Sequence, residues 1–288
     1  MASGYWFSKN PDKAWAEKFF LTLIPWWFFY NMAMVQMGWL ETGNFWNIMQ
    51  NFLMWFPYMV LLPWFLRRNS GVPWHQAFWF KYNVYLFWLI VLVTYFHTEY
   101  FFEVLGMRYR FPEVTLYLDS FLLGPDEATA LETFQKIPPS MYFNSIVFFG
   151  VYHCTAIILM RRIRTMTFGW SSAKSRFVAW CAISLVSAAF WGWGETYMYF
   201  VMISHPGDAS EVNVWYTNLH NMLWVGSWFY ALYFVVSFPN IYRMDEEKDG
   251  ERWSIGRIFV ESSFVGMITL LLCDLASWVM HFAGIKIY

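Results

Sequence analysis

Residues 177–203 read FVAWCAISLVSAAFWGWGETYMYFVMI, and this stretch decides the class of fold. It contains a single charged side chain, Glu195. About 20 consecutive apolar residues are enough for a helix to cross the hydrocarbon core of a bilayer. The stretch therefore predicts a transmembrane helix that carries a carboxyl group inside the membrane.

The composition of the whole chain favours the same environment. Of the 288 residues, 58% are hydrophobic, 24% are aromatic and 14% are charged, whereas soluble domains carry about 25% charged residues. The net charge of −1 argues against a nucleic-acid partner, because phosphate binding requires a basic surface. We therefore expect one membrane domain, residues 1–288, in contact with the lipid bilayer.

Apolar runs long enough to span a membrane recur along the chain. They predict an all-α fold, a polytopic bundle of about seven transmembrane helices at roughly 19–40, 46–66, 80–102, 141–160, 177–203, 218–242 and 258–283. Asn10-Pro11-Asp12 predicts a helix start before the first run. Pro57 and Pro63 predict a kink or a break within the second run.

The basic residues predict the orientation of this bundle. With alternating ends and a cytoplasmic N-terminus, 15 of the 19 basic residues lie in inside segments. The outside segments hold the other four, which are Arg108, Arg110, Lys136 and Lys286. The positive-inside rule predicts this asymmetry, so we expect the N-terminus to be cytoplasmic and the C-terminus to lie outside.

Five ionisable side chains fall well inside the predicted spans, where each costs roughly 2.5–3.5 kcal/mol on insertion scales. Counted at about 1.5 Å per residue, four of them reach one level in the outer third of the membrane, namely His97, Glu99, Glu195 and Asp274. His153 lies deeper, at ~12 Å from the inner face. These are the candidate catalytic residues. The alternative is structural, because carboxyl groups snorkel to headgroups and a histidine can cap a carbonyl group.

The surroundings of Glu195 make it the strongest candidate. Trp191 and Tyr199 lie four residues on either side and share its helix face. Gly192 and Gly194 allow a close helix approach or a local bend. Aromatic rings in a low dielectric favour the neutral carboxyl group and stabilise a cation, which predicts a general acid. A helix–helix hydrogen bond within an aromatic packing stripe is the competing interpretation.

Several other chemistries are excluded by the motifs. The six histidines form no HxxxH or HxxHH pair, so a di-iron oxygenase is not expected. The last span has no lysine before Lys286 for a retinal Schiff base. No phosphate loop or Ser–His–Asp motif occurs. We expect neither a metal nor a cofactor.

Several blocks of sequence resemble one enzyme family. The blocks are WFSKNPDKAWAEKFFL (6–21), FWFKYNVYLFWLIV (78–91), YFHTEYFFEVLG (95–106) with YRFP (109–112), VYHCTAIILMRRIR (151–164) and WFYALYFVVSFPNIYRMDEE (228–247). In this order they are similar to the cycloeucalenol cycloisomerases of plants. That family opens the 9,19-cyclopropane ring of a sterol to give a Δ8 sterol, in the membrane and without a redox cofactor.

The resemblance implies a sterol isomerase that uses acid–base catalysis on a sterol or sterol-like lipid. Glu195 would donate the proton, with Glu99, His97, His153 or Asp274 as base or relay. An apolar slot would be lined by Tyr95, Trp191, Tyr197 and Trp278, with Asn83 also binding substrate. The residues that match the family pattern are Lys81, Asn83, His153, Arg161, Arg162, Glu195, Arg243, Asp245 and Asp274.

The chain departs from the plant pattern in two ways. Glu99 stands where the plant sequences have histidine, with His97 two residues earlier, and Ile146 replaces a second histidine. The outer loops at about 113–137 and 204–215 are longer. A non-catalytic sterol- or lipid-binding protein of the same fold stays open as an alternative, as does proton-coupled transport. The protein would lie in the endoplasmic reticulum of a eukaryote or the inner membrane of a bacterium, and its oligomeric state stays open.

Overall fold

The computed structural model describes residues 4–203, 213–247 and 250–287. Helices α1 (Pro11–Leu21), α2 (Leu23–Gln36) and α3 (Asn44–Phe56) come first, and a π-helical turn at Pro57–Leu61 joins α3 to α4 (Leu62–Arg67). The long helix α5 (Phe78–Glu103) follows. Strand β1 (Met107–Tyr109) and the short helix α6 (Glu127–Glu132) precede α7 (Pro139–Met166).

The second half of the chain begins with α8 (Ala173–Tyr197), which continues as a π-helical segment at Met198–Ile203. Strand β2 (Val214–Tyr216) then leads into a broken helix. Its pieces are α9 (Leu219–Asn221), a π-helical turn at Met222–Gly226, α10 (Ser227–Tyr230), α11 (Leu232–Val235) and α12 (Ser237–Arg243). Helix α13 (Ile255–Ala283) ends at Gly284, whose φ of +67° suits glycine.

The prediction of an all-α membrane helix bundle is confirmed. Five helices are long and apolar enough to cross a membrane among the residues that the structure describes, and they match the five predicted spans from 80–102 onward. The first two predicted spans correspond to shorter or interrupted helices, so a count of seven is not confirmed. The predicted helix start holds, since Asn10 Oδ1 accepts a hydrogen bond from Asp12 N (3.1 Å). The predicted break also occurs, as the π-helical turn begins at Pro57.

Helix α7 forms the centre of the bundle, with 78% of its membrane-spanning window buried. It packs against α1, α2, α3, α5, α8 and α12. Helix α13 packs mainly on α5 and is only 33% buried, and α8 is only 22% buried. Both of these outer helices therefore present wide apolar faces, as expected for helices that contact lipid.

One end of the bundle is tied together by a buried ion network. Arg161 of α7 contacts Glu17 (2.5 Å) and Glu246 (2.6 Å), and Lys13 contacts Glu246 (2.9 Å). Lys13 Nζ also donates to the backbone oxygens of Tyr242 (2.7 Å) and Met244 (2.6 Å). These residues come from segments that the charge pattern assigns to the cytoplasmic side.

A second set of polar contacts surrounds this network. Lys81 and Asp245 form a buried ion pair (2.6 Å), and Asp245 Oδ1 accepts from the backbone N–H of Trp253 (2.7 Å). Asp12 accepts from Arg67 (2.9 Å) and from the backbone N–H of Phe78 (2.6 Å), so it caps the first turn of α5 across the chain. The first, second, fourth and fifth of the family-like blocks meet here.

Candidate functional site

Glu195 faces a group of tyrosine side chains near the opposite end of the bundle. Tyr230 Oη donates a hydrogen bond to Glu195 Oε2. Tyr152 of α7 interacts electrostatically with the same carboxyl group. Two adjoining cavities of about 70 Å³ each flank it, and both are also lined by Tyr109 and Tyr230. The site is thus an apolar, hydroxyl-lined enclosure around one acid.

The two short strands form one wall of this enclosure. Strands β1 and β2 pair antiparallel, with Met107 opposite Tyr216 and Tyr109 opposite Val214. Alternate residues of a strand point to the same face, and all four of these side chains line the first cavity. The loops at 103–140 and 204–217 therefore supply part of the site through their described residues.

The helix that carries Glu195 is held close to its neighbour by a glycine. A Cβ atom on Gly192 would lie 2.7 Å from the backbone oxygen of Ser227, so glycine is required for this approach. That distance sets Tyr230 within hydrogen-bonding reach of Glu195. The close approach predicted for Gly192 occurs, whereas Gly194 has no neighbouring heavy atom within 4 Å of a Cβ position and has no such packing role.

The other candidate acid–base residues lie elsewhere. His153 is fully buried, with Nδ1 2.8 Å from the Phe149 carbonyl oxygen and Nε2 2.9 Å from Ser237 Oγ. His97 is buried beside Tyr233, whose hydroxyl donates to the His97 backbone oxygen (2.7 Å). Asp274 is exposed on α13. None of these three lines the two cavities beside Glu195.

Glu99 belongs to a separate outer cavity. This cavity has a volume of about 510 Å³ and lies between α5 and the loop at 115–136, with Tyr95 also in its wall. Asp119 and Lys136 line it and form an ion pair (3.1 Å). His97 and Glu99 are two residues apart on α5, and they face different surroundings. The sequence places His97, Glu99, Glu195 and Asp274 at one depth in the membrane, but these residues do not lie in one pocket.

The residues predicted to bind substrate are also dispersed. Trp191 stacks on Tyr152 (4.5 Å between ring centroids) behind the Glu195 enclosure. Tyr197 is partly exposed and stacks on Trp193, and Trp278 is 60% exposed on α13. Asn83 is buried and donates to the backbone oxygens of Met59 and Trp79, both at 2.8 Å, so it bridges α5 to the π-helical turn. Among these four residues, only Trp191 packs against a side chain that interacts with Glu195, namely Tyr152.

Sequence reasoning missed most of the tyrosines around Glu195. Of the set, the helix periodicity pointed only to Tyr199, which lines the first cavity. Tyr109 and Tyr216 lie in three-residue strands, and Tyr152 and Tyr230 lie on helices whose rotation a single sequence does not reveal. The available signal was weak: Met107-Arg108-Tyr109 alternates apolar and polar residues, and Val214-Trp215-Tyr216 is rich in β-branched and aromatic residues.

The fold and the site together define an integral membrane protein with an enclosed carboxylic acid among aromatic rings. In comparisons with known proteins, the chain is 27% identical over 274 residues to cycloeucalenol cycloisomerase of Arabidopsis thaliana, covering 94% of this chain and 87% of that protein. No protein-family model and no solved structure matches. The resemblance carried by the sequence blocks is thus confirmed, and the chain is related to cycloeucalenol cycloisomerase at the level of the family.

Proposed function

We propose that the protein is a membrane-bound sterol isomerase that opens a 9,19-cyclopropane ring by acid–base catalysis, with Glu195 as the proton donor. The observation that carries this proposal is the position of Glu195, a single carboxyl group hydrogen-bonded to Tyr230 inside a hydroxyl-lined apolar enclosure. The relative's name supports the class of reaction.

The proposed reaction requires that one proton is added to the sterol and that another is removed from it. The Glu195 carboxyl group protonates the cyclopropane methylene carbon, so the strained bond to C9 breaks and a methyl group forms. The positive charge at C9 faces the surrounding tyrosine rings, which stabilise a cation through their π electrons. Loss of the C8 proton then gives the Δ8 double bond. The Glu195 carboxylate accepts that proton, either directly or through the Tyr230 hydroxyl, which passes its own proton to Glu195 as it takes up the proton from C8, and the starting state is restored.

Substrate entry requires the enclosure to widen. Pockets for drug-sized ligands occupy about 300–1,000 Å³, and each cavity beside Glu195 measures about 70 Å³. Helix α8 is the weakly packed wall, because only 22% of its membrane-spanning stretch is buried. The π-helical segment Met198–Ile203 continues this helix. We therefore propose that the sterol enters from the lipid by displacing the end of α8.

The test is turnover of a cyclopropyl sterol by purified protein in nanodiscs, followed by gas chromatography with mass spectrometry. Glu195→Gln should lower the rate by ~10²-fold or more, since that is the usual contribution of a general acid. Asp274→Asn, a matched change on the exposed face of α13, should leave it within about twofold. In heavy water, one deuterium should appear in the new methyl group.

Two results would contradict the proposal. Undiminished turnover by Glu195→Gln would remove Glu195 from the mechanism. Sterol that binds tightly yet is recovered unchanged would instead support the non-catalytic lipid-binding alternative.

A further inference from the structure

A cavity of about 600 Å³ opens at the end of the bundle that carries the ion network. It lies between the end of α7, the first turns of α8 and the end of α12. Three arginines line it, Arg164, Arg176 and Arg243, and none of its described lining residues is acidic. The cavity is therefore a basic site that is open at the protein surface.

The neighbouring acids do not neutralise these arginines. In the ion network, Glu17 and Glu246 are already paired with Lys13 and Arg161. Among the described residues, Arg164, Arg176 and Arg243 form no ion pair; Arg164 donates to Tyr242 Oη (3.4 Å), and Arg176 donates to the Trp170 backbone oxygen (2.5 Å). Their positive charges stay available for an anionic ligand.

The remaining wall of the cavity is aromatic. Phe168 and Phe177 line it and are 71% and 64% exposed. They lie in the turn between α7 and α8 and at the start of α8, where two membrane-spanning helices end. An occupant must therefore carry a negative charge for the arginines and a hydrocarbon part for the rings, at the depth of the lipid headgroups.

We propose that this cavity binds the phosphate headgroup of an anionic glycerophospholipid. Guanidinium groups bind phosphate oxygens through paired N–H donors, and basic pockets between transmembrane helices hold lipid headgroups. The acyl chains would lie along Phe177 and the exposed surface of α8. A soluble phosphate compound would satisfy the arginines and leave the aromatic wall unused.

The experiment measures binding of phosphatidylglycerol to delipidated protein by native mass spectrometry, with phosphatidylcholine, a zwitterionic lipid without net charge, as the reference. Each of Arg164→Gln and Arg243→Gln should weaken phosphatidylglycerol binding about fivefold, because a basic residue near an anionic membrane surface contributes ~1 kcal/mol. Arg252→Gln is the matched control, since Arg252 is exposed at the same end outside the cavity wall. It should bind as the unchanged protein does.

A second part of the experiment distinguishes a lipid headgroup from a soluble phosphate compound as the ligand. Inorganic phosphate and glycerol phosphate should fail to displace the lipid when present in large excess. Displacement by either, or an equal loss in Arg252→Gln, would overturn the proposal. Arg164 and Arg243 are exposed, and an unchanged elution profile and unfolding midpoint in phosphatidylcholine would verify that the variants are folded.

Discussion

The Tyr230 hydroxyl donates to a carboxyl group that has no described cation beside it. The acids at the end of the bundle that carries the ion network differ in this respect, because Glu17, Glu246 and Asp245 each face lysine or arginine. A carboxyl group that is bound only by hydroxyl groups can hold its proton and release it. A nearby cation instead favours the carboxylate form.

Tyr230→Phe tests this distinction at the residue scale. Loss of one hydrogen bond to an acid costs about 1.5–3 kcal/mol, so cyclopropyl sterol turnover should fall by about 10- to 100-fold. Tyr199→Phe removes a hydroxyl group from the same cavity without a hydrogen bond to Glu195 that the structure shows, and should have a smaller effect. Steady-state rates of the two variants in nanodiscs provide the measurement. Equal rates for both would argue against a role for the Tyr230 hydrogen bond.

Single residues also mark the limit of sequence reasoning. Glu195 could be selected because one carboxyl group in an apolar run of aromatic residues is costly. Asp274 met the same criterion, yet it points away from the core. This could not be predicted, because the sequence gives the depth of a residue along a helix but not the rotation of that helix about its axis. His153 is bound by the carbonyl group of Phe149, four residues earlier on the same helix, and by Ser237 of α12, a partner that no periodicity could indicate.

At the scale of elements, the long spans were predictable and the short pieces were not. Helices α5, α7, α8 and α13 follow from uninterrupted apolar runs. The first predicted span is divided at Thr22, between α1 and α2. The second is divided at Pro57, where α3 gives way to the π-helical turn, and it also carries Asn47 and Asn51, which are buried on α3. The pairing of β1 with β2 joins segments more than a hundred residues apart, and three-residue strands carry too little periodicity to predict it.

The approach of α8 to α10 provides the prediction at this scale. Gly192→Ala should push α8 away from Ser227, lower the stability by about 1–3 kcal/mol and weaken the contact between Tyr230 and Glu195. Gly194→Ala is the matched control, because a Cβ atom there meets no neighbour and alanine favours a helix by about 0.5–1 kcal/mol. Gly192→Ala should therefore lower the unfolding midpoint and sterol turnover. Gly194→Ala should raise the midpoint or change both quantities by a clearly smaller amount.

If Gly192→Ala unfolds at the same temperature as the unchanged protein, the close helix approach does not set the geometry of the site.

At the scale of the whole molecule, the ion network joins the two ends of the sequence. Burial by itself raises the pKa of Glu246, but the charges and hydrogen bonds of Lys13 and Arg161 outweigh it and hold that pKa below its usual range. A lowered pKa in the folded state means that the carboxylate stabilises the fold above the unfolded pKa, about 4.3, and that this contribution is lost as the pH falls through the folded value.

Glu246→Gln should therefore lower the unfolding midpoint at neutral pH by ~10 °C, since loss of one partner of a buried ion pair costs ~3 kcal/mol. The difference from the unchanged protein should begin to shrink as the pH falls below the unfolded pKa, about 4.3, and should vanish below the folded value, where Glu246 is protonated in both states. Glu247→Gln, a matched change at an exposed neighbour, should show neither effect. Thermal unfolding of purified protein across this pH range is the measurement, and a pH-independent difference would contradict the role of the charge.

The same ion network has a consequence for how the protein is made. Lys13 leaves the ribosome among the first residues, whereas its partners Tyr242, Met244 and Glu246 follow more than 220 residues later. At ~5–20 residues per second, Lys13 waits at least ten seconds without these partners. Assembly of this end of the bundle is therefore completed only after the sixth predicted span has been synthesised, and a nascent chain released before residue 246 would lack the contacts that close the bundle.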